Sequence, residues 1–399
     1  MIFRVRNVIA LLLCVFFSWI SWASYWYFFD TQAPKLCLTG FSNGQCCAGD
    51  VQCRLSSSKK GEVSLLLDGN PLVTKFKMIN KQEDYAFVIP TRAVGNGMHE
   101  LVIECVDSAY HKNKTCLKYG LIVDNLPLQA TLVRSDVMQK VLQGRTLHIQ
   151  FQVNKEIERA FVSVLSQRYE CFPESKGSFV YECYVPIACE EQPNEYLASI
   201  EIVDKVGNAL CLDNRFQVIV YPFKKEFLHV SAEKVKEEES LGVDSARFEE
   251  EIKKLSDMSP HEKLWRGSFC SPIDIVRVTC DFGTVRTTQH RGRYAHKAVD
   301  IINVPKSVVW APQDGVVVMK ERFALSGNTI VVDHGWGILS LFFHLDDFAP
   351  SVRLGEKVVK GKPLGYLGKT GYASGYHLHW EMRVNNIQVD PIQWTKMTF

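Results

Sequence analysis

Strict alternation marks the middle of the chain. In TLHIQFQV, Leu147, Ile149, Phe151 and Val153 fall at every second position, the period of a half-buried strand and not of a helix. Short runs of the same kind recur from about residue 60 to 222: GEVSLLLDGN meets an Asp-Gly turn, and DYAFVIP, HELVIECVD, SFVYECYVP and RFQVIVY follow. There is also an internal echo. Ile103-Glu104-Cys105-Val106-Asp107 is matched by Ile200-Glu201-Ile202-Val203-Asp204, and each is followed by a turn, a cysteine (Cys116 or Cys211) and another strand. The echo predicts two β sandwiches of immunoglobulin-like type, residues 31–125 with a cysteine-rich start and residues 126–223, parted near Asp124-Asn125-Leu126-Pro127. Neither carries a visible catalytic set, so both read as spacers or binding modules.

Other patterns flank this region. Residues 8–29 form an uncharged run that ends at Asp30. As a helix it would extend about 33 Å, enough for a bilayer core of roughly 30 Å. Arg4 and Arg6 ahead of it favour a cytoplasmic N-terminus and an exported remainder. Residues 1–30 are therefore expected to be a transmembrane anchor, because the apolar run continues past Ala23; the alternative is a signal peptide cut after Ser21-Trp22-Ala23. After Pro222 the chain turns highly charged, and residues 224–263 predict a helical linker. Within it Ser231 would cap a first helix that Gly242 ends, Phe248, Ile252 and Leu255 would line one face of a second, and Ser259-Pro260-His261-Glu262 has the form of a capping box. Residues 264–399 return to short strands punctuated by glycines, which predicts an antiparallel sandwich or barrel. The expected fold is thus mainly β.

Composition narrows the function. The net charge of +2 gives no ground for nucleic-acid binding. Of thirteen cysteines, Cys14 lies in the apolar run and the other twelve are an even number, which in an exported protein points to disulfides whose pairing is not deducible. A metal cluster at Cys37, Cys46, Cys47 and Cys53 is the rival reading, weakened by the lack of a clean double CxxC.

The histidines carry the chemistry. In GYASGYHLHWEM a strand would put His377, His379 and Glu381 on one side and Leu378, Trp380 and Met382 on the other. RYAHKAVDII adds His296 and Asp300, four residues apart. Two imidazoles and a carboxylate suit zinc, and catalytic zinc commonly has three protein ligands and one open position. His344 in LSLFFHLDD and His377 remain as candidates for proton transfer or oxyanion stabilisation.

From about Leu264 to Trp394 the chain resembles the lysostaphin-like, or LytM-type, zinc endopeptidases that cut peptide cross-links of bacterial peptidoglycan. The resemblance runs through CDFGTVR, HKAVD, VVWAPQDGVVV, GNTIVVDHGWG, FFHL, LGEKVVKGKPLGYLGKTGYASGYHLHWE and VDPIQW. It implies one zinc per chain held by His296, Asp300 and His379, with His344 and His377 as the catalytic pair. Arg286, Asn328 and Glu381 are further candidates for holding substrate or orienting a ligand. The sequence has Ala298 where the family has glycine, Phe343 where it has tyrosine and Tyr376 where it has proline. None of these removes a ligand or a proton-transfer group. The implied substrate is the peptidoglycan stem peptide, cut at D-alanyl to diamino acid bonds, and the implied location is the periplasmic side of the inner membrane, or the periplasm itself after signal cleavage. Cell-wall or divisome proteins are the further partners expected. The same fold also supports inactive relatives that activate a cell-wall amidase, but those typically lack part of the ligand set.

Overall fold

The computed structural model describes residues 2–78, 84–133, 138–229, 236, 242–289 and 292–397, with the side chains of residues 2–13, 26, 74, 75, 242 and 243 outside that description. The mainly β expectation holds along the chain. Two compact units result, one of Met1–Pro127 with Lys205–Asn208, the other of Leu128–Asp204 with Ala209–Phe399.

In the first unit a five-stranded sheet runs Gln45–Cys47, Lys114–Val123, Gly97–Asp107, Gly61–Leu67 and Asn70–Met78, beside a three-stranded sheet of Leu36–Thr39, Val51–Ser57 and Tyr85–Ile89. In the second unit the same order returns as Gln139–Leu142, Ala209–Ile219, Glu195–Asp204, Ile157–Val164 and Gln167–Glu170, with a companion sheet of four strands. In both, the first strand pairs parallel to its neighbour while the others are antiparallel. The sequence echo marks equivalent strands. Its two aspartates, Asp107 and Asp204, are both buried and each meets a lysine, Lys59 at 3.7 Å and Lys155 at 2.5 Å. TLHIQFQV forms the expected strand, and Leu147, Ile149, Phe151 and Val153 all point into the sandwich core.

The N-terminal run folds as one helix, Ile2–Phe29. Among the described residues, however, no helix is long and apolar enough to cross a membrane. Residues 8–13, which open the apolar run, lie outside the described side chains, so the transmembrane expectation is not carried by the structure. The expected disulfides are not seen among the described residues. Cys105, Cys183 and Cys189 are buried in apolar cores, where a thiol serves as a small buried side chain.

The C-terminal region is built on one antiparallel sheet. Its strands lie in the order Arg277–Cys280, Val299–Ile302, Leu378–Val384, Ile338–Leu345, Gly327–Asp333, Gly315–Phe323 and Lys357–Val358. One face packs Val299, Ile301, Phe342, Leu378 and Trp380 into a core. The other face carries Leu339, Leu341 and Phe343 and is covered by the helix Gly242–Asp257 through Phe248 and Ile252. The amphipathic stripe of the linker is thus docked on the sheet. Ser231 lies outside the described residues, and the capping-box segment at Ser259 is not helical. Instead the Ser259 hydroxyl is buried, donating to Asp333 at 2.7 Å and accepting from the Gly337 N–H at 2.9 Å. Asp333 and Gly337 outcompete the local cap.

Within the same unit the second sandwich is joined to this region by polar and aromatic contacts. Gln393 exchanges two hydrogen bonds with the Thr146 backbone, at 2.7 and 2.9 Å, and Tyr184 packs among Trp265, Trp336 and Trp394.

Candidate metal centre and its histidines

The site follows from strand period and register. Cys280 stands opposite Asp300, Asp300 opposite His379, and His379 opposite Phe343, on four neighbouring strands. Directly opposed residues point to the same face, so these four side chains form one row across the sheet. Leu378 and Trp380, one step either side of His379, point the other way into the core. His296, at the end of the Gly292–His296 strand, reaches the row from above Asp300.

Three of the expected residues converge. His296 Nε2 lies 3.2 Å from Asp300 Oδ2 and 3.3 Å from His379 Nδ1, and His379 Nδ1 lies 2.9 Å from Asp300 Oδ1. Ligands about 2.0–2.1 Å from a tetrahedral zinc would stand about 3.3 Å apart, so the donor set fits that ion in type and spacing. The electrostatics agree. Burial alone would neutralise Asp300, but hydrogen bonds from His296 and His379 hold its carboxyl far below the usual carboxylate range. Burial likewise opposes charge on His296, yet Asp300 and Cys280 beside it push it up to about 9. A field that favours a proton there also favours a divalent cation.

His344 arrives by a backbone irregularity. In a regular strand Phe343 and His344 would face opposite ways. The pairing with Gly327–Asp333 shifts by one residue between Asn328 and Ile330, and His344 has φ 60°, so it turns onto the site face as well. Its ring lies 4.7 Å from that of His377 and 5.9 Å from that of His379. The His344 Nδ1–H donates to Thr370 O at 2.9 Å, which leaves Nε2 as the free acceptor. Burial, with His379 and His377 nearby, lowers its pKa to about 3, so the ring is neutral at pH 7. His377 is bound in the same way, with Nδ1 2.9 Å from Gly375 O and Nε2 3.9 Å from Asp300 Oδ1.

Thr370 was not among the residues anticipated, although it sets the His344 ring. Gly327 makes that approach possible. It has φ 66°, and a Cβ there would stand 2.3 Å from Thr370 O. Asn328, expected to touch substrate, is committed to the same turn: its side chain donates to Asp346 O and its backbone N–H to Thr370 Oγ1, each at 2.9 Å. Arg286 faces local acids, Asp300 Oδ2 and Glu226 Oε2, both at 3.7 Å. Glu381 is buried on the site face, 4.0 Å from His379 Nε2 and bonded to Arg383, which in turn grips Glu249 of the covering helix at 2.7 and 2.9 Å. Phe343 stacks on His379 with centroids 4.9 Å apart. Of the histidines given no role, His334 is fully buried between Asp314 O and Ser340 Oγ, and His290 lies outside the described residues.

Cys280 was read only as a disulfide candidate. In the fold, ligating atoms of Cys280, His296 and Asp300 all lie within 4.8 Å of one another.

Residues 294–391 match Peptidase family M23, so the C-terminal region carries an M23 domain. The chain is similar to the peptidoglycan DD-endopeptidase ShyC of Vibrio cholerae, 34% identical over 122 residues, covering 30% of this chain and 28% of that protein. It is similar also to the DD-carboxypeptidase/endopeptidase Mpg of Neisseria meningitidis, 31% identical over 129 residues, covering 32% and 29%. The matched stretch is less than a third of the length of either relative. Among solved structures, a peptidase M23 from Pseudomonas aeruginosa aligns at 22% identity with a TM-score of 0.44, covering 64% of this chain and 94% of that one.

Proposed function

We propose that this chain, which carries an M23 domain at residues 294–391, is a zinc-dependent endopeptidase that hydrolyses peptide cross-links of bacterial peptidoglycan, at bonds from D-alanine to a diamino acid. The observation that carries the reading is the meeting of His296 Nε2, the Asp300 carboxylate and His379 Nδ1 within 3.3 Å, with His344 and His377 alongside. The names of the relatives support the substrate and the bond.

Zinc held by His296, Asp300 and His379 would supply Lewis acidity toward the scissile carbonyl and would lower the pKa of water toward neutrality. The remaining work belongs to the side chains. His344 and His377 both tie Nδ1 to a carbonyl and so present Nε2 to the reacting groups. Between them these two Nε2 atoms take the proton of the attacking water and return one to the leaving amine. Phe343, stacked on His379, fixes that ring and keeps water from its face. Glu381, braced by Arg383, places negative charge near His379 Nε2 and so strengthens the ligand. Peptidoglycan lies outside the cytoplasm, so the protein is proposed to act in the periplasm.

The bond is tested with purified cross-linked muropeptide dimers and mass spectrometry of the products. Monomers ending in D-alanine, with the partner's diamino acid amine freed, are expected. Products cut at a different bond, with the dimer linkage intact, would refute the assigned specificity.

A further inference from the structure

Cys171 and Cys183 are both buried, at 6% and 1% exposure, in the core of the second sandwich. Strand register brings them together. The short strand Phe172–Pro173 runs antiparallel to Val180–Pro186, with Phe172 opposite Glu182 and Pro173 opposite Tyr181. One step further back, the same register sets Cys171 against Cys183. One step forward, the Glu174 N–H donates to Val180 O at 2.9 Å; hydrogen-bonded pairs alternate from there, so the cysteine pair falls at a non-hydrogen-bonded position. The Cys171 N–H is accordingly turned away and donates to Ala160 O of the other sheet at 2.9 Å. Opposed residues at such positions have Cα atoms about 4.5 Å apart and side chains on one face, within the span of about 4.4–6.8 Å that a disulfide bridges. Burial and, next, the adjoining Cys171 thiol raise the Cys183 pKa well above the usual thiol range.

The opposite face of the same two strands holds the peptidase region. Phe172 stacks on Trp336 with centroids 4.7 Å apart, Glu182 accepts from Lys263 Nζ at 2.9 Å, and Tyr184 packs among Trp265, Trp336 and Trp394. We infer that Cys171 and Cys183 form a disulfide that ties these two strands together behind that junction. Both S–H bonds break and one S–S bond forms; the two electrons and two protons pass to an external disulfide, which becomes two thiols. The thiolate is the attacking species and both sulfurs end up buried, so the exchange takes place before the core closes, and the finished bond is shielded from reductant afterwards. The inference does not depend on the metal. It takes from the function proposed above only the location outside the cytoplasm, where disulfides persist.

The test is peptide mapping of the full chain, refolded in a glutathione redox buffer, blocked with a thiol-alkylating reagent and digested with trypsin without reduction. Peptides 169–176 and 177–205 are expected to be joined, with fragmentation placing the bridge on Cys183 and not on Cys189. The joined mass should vanish on reduction and in Cys171→Ser. Hydrogen exchange gives a second reading on the wild type alone: amides of residues 172–184 should exchange at least about tenfold more slowly in the oxidised chain than in the chain refolded with reductant. Alkylated Cys171 and Cys183 in the oxidised chain, or a bridge from Cys183 to any other cysteine, overturns the pairing. A bridge that leaves exchange at 172–184 unchanged overturns its role at the junction. Neither result bears on zinc uptake or hydrolysis, so failure here is distinct from failure of the proposed function.

Discussion

Two buried aspartates end up in opposite employment. Asp204 closes a strand of the second sandwich and is neutralised by Lys155 at 2.5 Å; Asp300 lies in the middle of the C-terminal sheet and is held by His296, His379 and, at 3.7 Å, Arg286. Both are nearly removed from solvent, at 1% and 7% exposure. Burial of a carboxylate therefore does not mark a site. What differs is the partner. A lysine ammonium is a fixed positive charge that has no lone pair to offer, whereas an imidazole can give up its proton and bind a metal instead. The first aspartate is a structural neutralisation repeated in the other unit by Asp107 and Lys59, and the second stands among donors whose type and spacing fit a cation.

This contrast can be broken at either aspartate. Asp300→Ala should abolish zinc uptake, measured by elemental analysis, and lower hydrolysis by more than about a thousandfold, the scale of several kcal/mol of lost Lewis acidity. His344→Ala and His377→Ala sharpen the point, because each should retain zinc while losing on the order of 10²- to 10⁴-fold in turnover of a cross-linked dimer. Asp204→Ala should do the reverse: zinc content and turnover per folded molecule stay as in wild type, but unfolding in urea shifts by about 3–5 kcal/mol because the buried Lys155 loses the carboxylate 2.5 Å from its ammonium.

A smaller effect comes from a buried histidine outside the site. His334 has no exposed surface, and burial depresses its pKa to about 4. The unfolded chain binds its proton near pH 6.5, so between pH 6.5 and about 4 the unfolded state holds more protons and stability falls as pH falls. Denaturation at pH 7 and pH 5 should differ by about 2 kcal/mol from this residue, and the difference should shrink in His334→Asn.

Much of the site was legible because strand period is a local property. Alternation alone separated His379 and Glu381 from Leu378 and Trp380, and that division holds in the sheet. The duplicated sandwich was legible for the same reason, since Ile103 to Asp107 and Ile200 to Asp204 repeat the pattern of one strand. Features set by long-range pairing were not. His344 faces the site only because two residues of its strand share one partner position and its φ is positive, and nothing in LSLFFHLDD announces that. Cys280 joined Asp300 through a register that depends on where the first strand of the sheet begins. Thr370 matters through its carbonyl, which every residue has. The Ser259 segment failed as a helix start because Asp333 and Gly337, more than 70 residues away, bond the hydroxyl that would have capped it.

The central claim is that one metal, gripped by His296, Asp300 and His379, is required for cutting peptidoglycan. The most direct measurement is mass spectrometry of purified peptidoglycan incubated with the protein as purified, after chelation, and after chelation followed by zinc. Separated stem peptides should be released in the first and third samples, and cross-links should stay intact in the second. Cleavage that persists at full rate in the chelated sample, with zinc verified absent, would contradict it.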